Sequence, residues 1–214
     1  MNLARRIFRS AALRKYLRRG LPREPYASFG APADQHSSFR NDLEREFYGH
    51  QGRQIHKWGH YLEVYDRFFA PLKHAGRPVG LLELGVQHGG SLQLWRKYFG
   101  PSARIAGIDV DPRTEFESEN IKVFIGSQAD PATLDRAAQW LDALDIVIDD
   151  GSHVASHQSA SLDHLFPLLS PGGFYICEDL HTSYWRSYEG GYRRRGAFIE
   201  RIKRLIDDMH AWHH

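Results

Sequence analysis

Between Val79 and Cys177, five short apolar runs alternate with longer stretches of helical periodicity, and few folds accommodate that rhythm. The runs are Val79–Leu84, Arg104–Asp109, Ile121–Ile125, Asp145–Ile148 and Phe174–Cys177. Each is apolar along its length instead of alternating with polar residues, as expected of strands covered on both faces. Between them lie Ser91–Phe99, a short turn near Pro112, Pro131–Leu141 and Gln158–Leu168, and a last helix is expected over Ala197–Met209. Short buried strands joined by helices make right-handed βαβ crossovers and a parallel sheet. The expected fold class is therefore α/β, a Rossmann-like doubly wound sheet of five strands in the order 3-2-1-4-5. Upstream, Asp42 to about Leu72 is aromatic-rich and helical in pattern, which predicts two helices packed against the sheet. The segment Ile55–Tyr61 within it can line a site, although aromatic helix faces usually belong to a core.

Composition narrows the class. Of 214 residues, 42% are hydrophobic and 25% charged, enough apolar material for one core and too much for a disordered chain. The single cysteine, Cys177, has no intrachain partner and points to a reducing, cytoplasmic compartment. No apolar run reaches the ~20 residues that a membrane-spanning helix needs. The net charge of +2 conceals an asymmetry, because the first 20 residues carry seven basic side chains and no acid. The remainder holds 21 basic against 26 acidic residues, so the body of the chain is not built for nucleic acid. The leader suits weak contact of residues 1–20 with an anionic membrane surface, or a solvated, frayed extension. Residues 1–40 are thus expected to be a basic extension and linker, and residues 41–214 one domain, with N-terminal helices over 41–76 and the α/β core over 77–214.

In such sheets ligands sit at the carboxyl ends of the strands, and the polar residues that stand out here fall there. The first run ends in Gly85-Val86-Gln87-His88-Gly89-Gly90-Ser91 and enters a helix at once. Its G-x-x-x-G-G spacing differs from the dinucleotide G-x-G-x-x-G pattern, and it lacks a Walker lysine. Asp109 ends the second run, where a carboxylate can accept both ribose hydroxyls or simply start a turn. Gln128, after the third run, can reach a base edge or cap a loop. The fourth and fifth runs end in Asp149-Asp150-Gly151-Ser152-His153 and Glu178-Asp179. Four carboxylates converging there repel one another unless a cation sits among them, and hard oxygen donors without a cysteine cluster favour Mg²⁺. His153, three residues after Asp150, can serve beside such an ion as a general base. Helix capping by the acids and a packed histidine is the structural alternative.

Taken together, Glu83-x-Gly85-x-x-x-Gly89-Gly90-Ser91, Asp109, Asp149-Asp150-Gly151-Ser152-His153 and Glu178-Asp179-Leu180-His181-Thr182-Ser183-Tyr184-Trp185 resemble class I S-adenosylmethionine methyltransferases. The nearer resemblance is to the metal-dependent sugar O-methyltransferases of macrolide biosynthesis, the mycinamicin and tylosin type. It spans about residues 55–210 and excludes the basic leader, which stands where that family has a larger amino-terminal domain. The resemblance implies that Asp150, Glu178 and Asp179 hold Mg²⁺ and that His153 is the base. It implies Glu83, Gly85 and Ser91 around the methionine part of S-adenosylmethionine, Gly89 at the cofactor, Asp109 on its ribose, Gln128 near the adenine and Asp149 near the cofactor. His181, Thr182, Tyr184 and Trp185 would form a wall for a sugar or another vicinal diol, or pack within a loop. This fold normally adds a C-terminal hairpin, and the residues after the last helix leave nothing to form one. A shortened protein, an edge covered by a partner or a homo-oligomer, and a fragment all accommodate that. The rival expectations are a metal-dependent hydrolase using the same acids and a non-catalytic cofactor-binding protein.

Overall fold

The computed structural model describes residues 39–211. The basic leader and most of the linker, with the readings attached to them, lie outside the described residues. Two helices come first, α1 (Asp42–Tyr48) and α2 (Gly59–Lys73). The Asn41 side chain starts α1 by accepting the Glu44 amide. Then follow β1 (Gly80–Leu84), α3 (Gly90–Phe99), β2 (Arg104–Asp109), β3 (Glu117–Ser118), β4 (Ile121–Ile125) and α4 (Pro131–Trp140). The chain continues through β5 (Ile146–Asp149), α5 (Ala155–Leu165), β6 (Phe174–Cys177) and α6 (Phe198–His210). Asp130 caps α4 through the Thr133 amide, with Pro131 at the first helical position where its missing N–H costs nothing. No helix among the described residues is long and apolar enough to cross a membrane.

The sheet order is β3-β4-β2-β1-β5-β6. Its five parallel strands follow the order the sequence predicts, and each apolar run forms a strand within one residue of its expected limits. The sixth strand corrects the count. Glu117 and Ser118 pair antiparallel with β4 through a turn in which Asn120 adopts a left-handed φ of 60°. Two exposed polar residues leave no apolar signature, so only the backbone pairing reveals them. Among the described residues no strand pairs with the outer edge of β6.

Burial on both faces accounts for the apolar runs. Leu81, Ile105, Val123, Ile146 and Ile148 pack on one side against Leu43, Phe47, Leu62, Tyr65, Phe69 and Trp95 of α1, α2 and α3. Leu82, Leu84, Ala106, Ile108 and Val147 face Leu134, Ala137, Leu141 and Leu165 on the other side. Each such aliphatic side chain contributes about 1.5–3 kcal/mol relative to exposure. The aromatic face of α2 is therefore largely core, although two of its tyrosines also reach the site described below.

The carboxyl ends of the strands are level, since Leu84 pairs with Ile108 and with Asp149, and Asp149 with Cys177. The loops after β1, β2, β5 and β6 consequently open side by side. At the opposite end, the buried Asp145 carboxylate accepts two bonds from Arg77, at 2.8 and 2.9 Å, and one from the Gly80 amide at 3.0 Å. Burial opposes its ionisation, but Arg77 and the Gly80 amide outweigh that and hold its pKa below the usual carboxylate value. Asp145→Ala is expected to cost about 2 kcal/mol in denaturant unfolding at neutral pH, because the Gly80 amide loses its side-chain acceptor. A depressed folded pKa stabilises above the unfolded value of about 3.9 and fades as pH falls through the folded one. The gap between variant and parent should therefore narrow as pH falls below about 4, while the part due to the Gly80 acceptor remains.

Candidate active site

The turn after β1 is shaped by glycine. Gly85 has φ of 90°, and a Cβ there would sit 2.2 Å from the Asp150 carbonyl oxygen, so no other residue lets β1 and β5 approach this closely. Asp109 draws the turn together: its Oδ2 accepts the amides of Val86 at 2.8 Å and Gln87 at 3.1 Å, and its Oδ1 accepts that of Asp111 at 2.9 Å. The turn-forming alternative is thus realised. A carboxylate offers about four acceptor positions, so this one, which lines the cavity, retains room for a ligand donor. Ser91, in the first turn of α3, lines the cavity as well, whereas Gly89 does not. Gly89 has φ of 79° and would bring a Cβ to 2.5 Å from the Phe116 ring, so packing by itself already calls for glycine here.

The cavity occupies about 960 Å³ and is walled by Glu83, Gly85, Asp109, Asp150, His153, Glu178 and Asp179 among others. That volume suits a nucleoside together with an acceptor. Its acids do not converge on one point. One oxygen each from Glu83, Asp150 and Glu178 lie within 4.8 Å of one another, and a second group unites Asp150, His153 and Asp179 at the same spacing. Asp150 belongs to both. The expected trio of Asp150, Glu178 and Asp179 is therefore divided, with Glu178 turned toward Glu83 and Asp179 toward His153.

Within the first group stands Lys57, a residue to which the sequence assigned no role. Its Nζ lies 3.0 Å from Glu83 Oε1, 2.7 Å from Asp150 Oδ2 and 2.5 Å from Glu178 Oε1, with the side chain 2% exposed. Burial disfavours the ammonium, yet the surrounding carboxylates together raise its pKa well above the ordinary lysine value. Glu178 also accepts from Tyr65 Oη, and Asp179 from Tyr61 Oη at 3.1 Å. Burial, opposed by Lys57, pushes the Glu178 carboxyl up to about 7. Glu83 Oε2 accepts the Trp95 indole at 3.2 Å. The signal for Lys57 was available: a lone lysine in the aromatic run Ile55–Tyr61 cannot be buried without anionic partners.

His153 sits with φ of 57° and its Nε2 3.9 Å from Asp150 Oδ1, while its buried Nδ1 meets no protein partner. The hard oxygen donors beside it fit a divalent ion such as Mg²⁺.

Two residues expected near the cofactor are held by the protein itself, and of the two Gln128 also lines the cavity. The Gln128 amide spends both ends on protein, its Oε1 accepting the Ser152 amide at 2.7 Å and its Nε2 donating to Asp149 Oδ1 at 3.0 Å. Asp149 is fully buried, lies outside the cavity wall, and also accepts from Ser161 and Tyr175. The pair braces the loop after β5, with Asp149 away from the cavity and Gln128 at its wall. In the loop after β6, Thr182 is buried and donates to the Asp179 carbonyl, so it is no wall residue. Trp185 is half exposed, with its ring centroid 5.1 Å from that of His181 and 6.0 Å from that of Tyr188, and Tyr188 lies 6.2 Å from His153.

Residues 82–180 match the family model described as a methyltransferase domain, and the doubly wound sheet with its glycine turn, acid after β2 and carboxylate cluster after β5 and β6 agrees with a class I methyltransferase domain. More particularly, the chain is similar to enzymes that methylate sugars on natural products. It is 40% identical over 179 residues to the 8-demethyl-8-(2-methoxy-alpha-L-rhamnosyl)-tetracenomycin-C 3'-O-methyltransferase of Streptomyces olivaceus, covering 79% of this chain and 45% of that one. To the demethylmacrocin O-methyltransferase of Streptomyces fradiae it is 38% identical, covering 72% and 41%. Among solved structures it resembles the MycE methyltransferase of the mycinamycin biosynthetic pathway in complex with Mg, SAH and mycinamycin VI, with a TM-score of 0.65 and 35% identity over 78% of this chain and 45% of that one. The chain thus spans somewhat less than half the length of these relatives.

Proposed function

We propose that this chain transfers the methyl group of S-adenosylmethionine to a hydroxyl of a sugar or another vicinal-diol natural product, assisted by Mg²⁺, in the cytoplasm. The observation that carries the proposal is a single cavity that joins the Gly85–Asp109 turn, suited to a nucleoside, to the carboxylates and His153. Glu83, Gly85 and Ser91 line this cavity and would surround the methionine part, and Asp109, which lines it too, would take the ribose. Asp150 and Asp179, which share a group with His153, are the carboxylates that would hold Mg²⁺, and Glu178 would join them on turning from Lys57. When bound there, the ion would orient two neighbouring hydroxyls and ease loss of a proton from one. His153 takes that proton at Nε2, and the cavity walls keep the oxygen in line with the methyl group. The exposed face of Trp185, beside His181, suits the apolar face of a sugar ring. An acceptor of this kind, and not nucleic acid, agrees with the net negative charge of residues 21–214.

The experiment is methyl transfer from labelled S-adenosylmethionine to a panel of glycosides and catechols, with and without chelator. Transfer to a vicinal diol that stops on chelation is expected. Transfer indifferent to chelator overturns the metal's part. The absence of any thermal stabilisation by S-adenosylmethionine would favour the hydrolase instead.

A further inference from the structure

Lys57 is a buried cation placed inside the anionic cluster that would take the metal, and no step of the reaction above uses it. Its ammonium touches a carboxylate from each of three strand ends, β1, β5 and β6, and its own segment crosses over the start of α3. Three carboxylates that close would drive one another toward protonation or apart unless a positive charge stood between them. Lys57 supplies that charge from the protein itself, which keeps the cluster assembled before any ion arrives.

We infer that Lys57 is a positioning residue, a fixed counter-ion that holds Glu83 and Glu178 in place and lowers the affinity of the cluster for a divalent metal. The inference rests on the reading that the site takes Mg²⁺. Two features support it. Lys57 engages Asp150 through Oδ2, whereas His153 approaches Oδ1, so the one carboxylate common to both groups is divided between the lysine and the side open to Asp179. The charges point the same way: one ammonium stands against the three carboxylates it touches, and its positive charge opposes a divalent ion entering beside it. The same acids without the lysine would attract a divalent ion more strongly and leave more negative charge facing an incoming alkoxide.

The test compares wild type, Lys57→Met and Lys57→Met/Glu178→Gln, without cofactor or acceptor. Calorimetric titration with MgCl₂ should show Lys57→Met binding Mg²⁺ about tenfold more tightly than wild type, because a nearby like charge is gone and a carboxylate is released. Thermal unfolding in chelator should show Lys57→Met less stable than wild type by several degrees, and the double variant recovering most of that loss. A lysine with a merely structural role predicts the stability loss but no gain in affinity. Unchanged or weaker Mg²⁺ binding by Lys57→Met therefore overturns the inference, as does a double variant no more stable than the single one. If Lys57→Met fails to fold, the double variant alone carries the stability comparison. A wild-type chain that takes no Mg²⁺ overturns the metal's part in the proposed function, and an affinity that Lys57→Met leaves unmoved overturns only the role of Lys57.

Discussion

Asp150→Asn is expected to lower kcat/KM for methyl transfer by about a thousandfold or more, equivalent to roughly 4 kcal/mol of transition-state stabilisation. No other acid belongs to both carboxylate groups, so its neutralisation weakens the metal side and the lysine side together. The fold should survive, because Lys57 retains Glu83 at 3.0 Å and Glu178 at 2.5 Å, and the Asp150 backbone amide still donates to the Leu84 carbonyl. The variant should bind S-adenosylmethionine within a few-fold of wild type and lose its thermal stabilisation by Mg²⁺. An Asp150→Asn protein that turns over normally and still responds to Mg²⁺ would move the metal away from this cluster.

Substitution of His153 is expected to slow the transfer step by about a hundredfold to ten-thousandfold while leaving cofactor and Mg²⁺ binding intact. The choice of variant matters, because φ at this position is 57°, a left-handed conformation that costs most residues roughly 1–2 kcal/mol. Asparagine tolerates that conformation well, so His153→Asn removes the imidazole without straining the loop between β5 and α5. Single-turnover rates with saturating cofactor read the effect directly. An unchanged rate would assign the proton to solvent or to another group in the wall.

Much of the fold is legible because the sheet is buried on both faces. Leu81, Leu82, Ile105, Ala106, Ile146 and Val147 are apolar whichever way they point, so the strands appear as uninterrupted runs and the connecting helices follow from their length. The strand from Glu117 to Ser118 escapes that logic, since it is exposed, polar and two residues long. Among the site residues, sequence position gives the level of a side chain along its strand but not the partner it takes. Asp149 and Asp150 are adjacent, yet alternation sends one into a network with Gln128, Ser161 and Tyr175 and the other toward the cavity. Gln128 carries no mark in the sequence of whether its amide meets a ligand or a loop, and here Ser152 and Asp149 claim it.

From the sequence alone come the doubly wound sheet, the glycine turn and the delivery of acids to neighbouring strand ends, because each depends on local periodicity and on the backbone freedom of single residues. The division of those acids depended on tertiary structure, for Lys57 lies 26 residues before Glu83, 93 before Asp150 and 121 before Glu178. A charge buried at that sequence distance leaves no periodic trace. It meets its partners only once α2 and the segment before it have packed across the sheet.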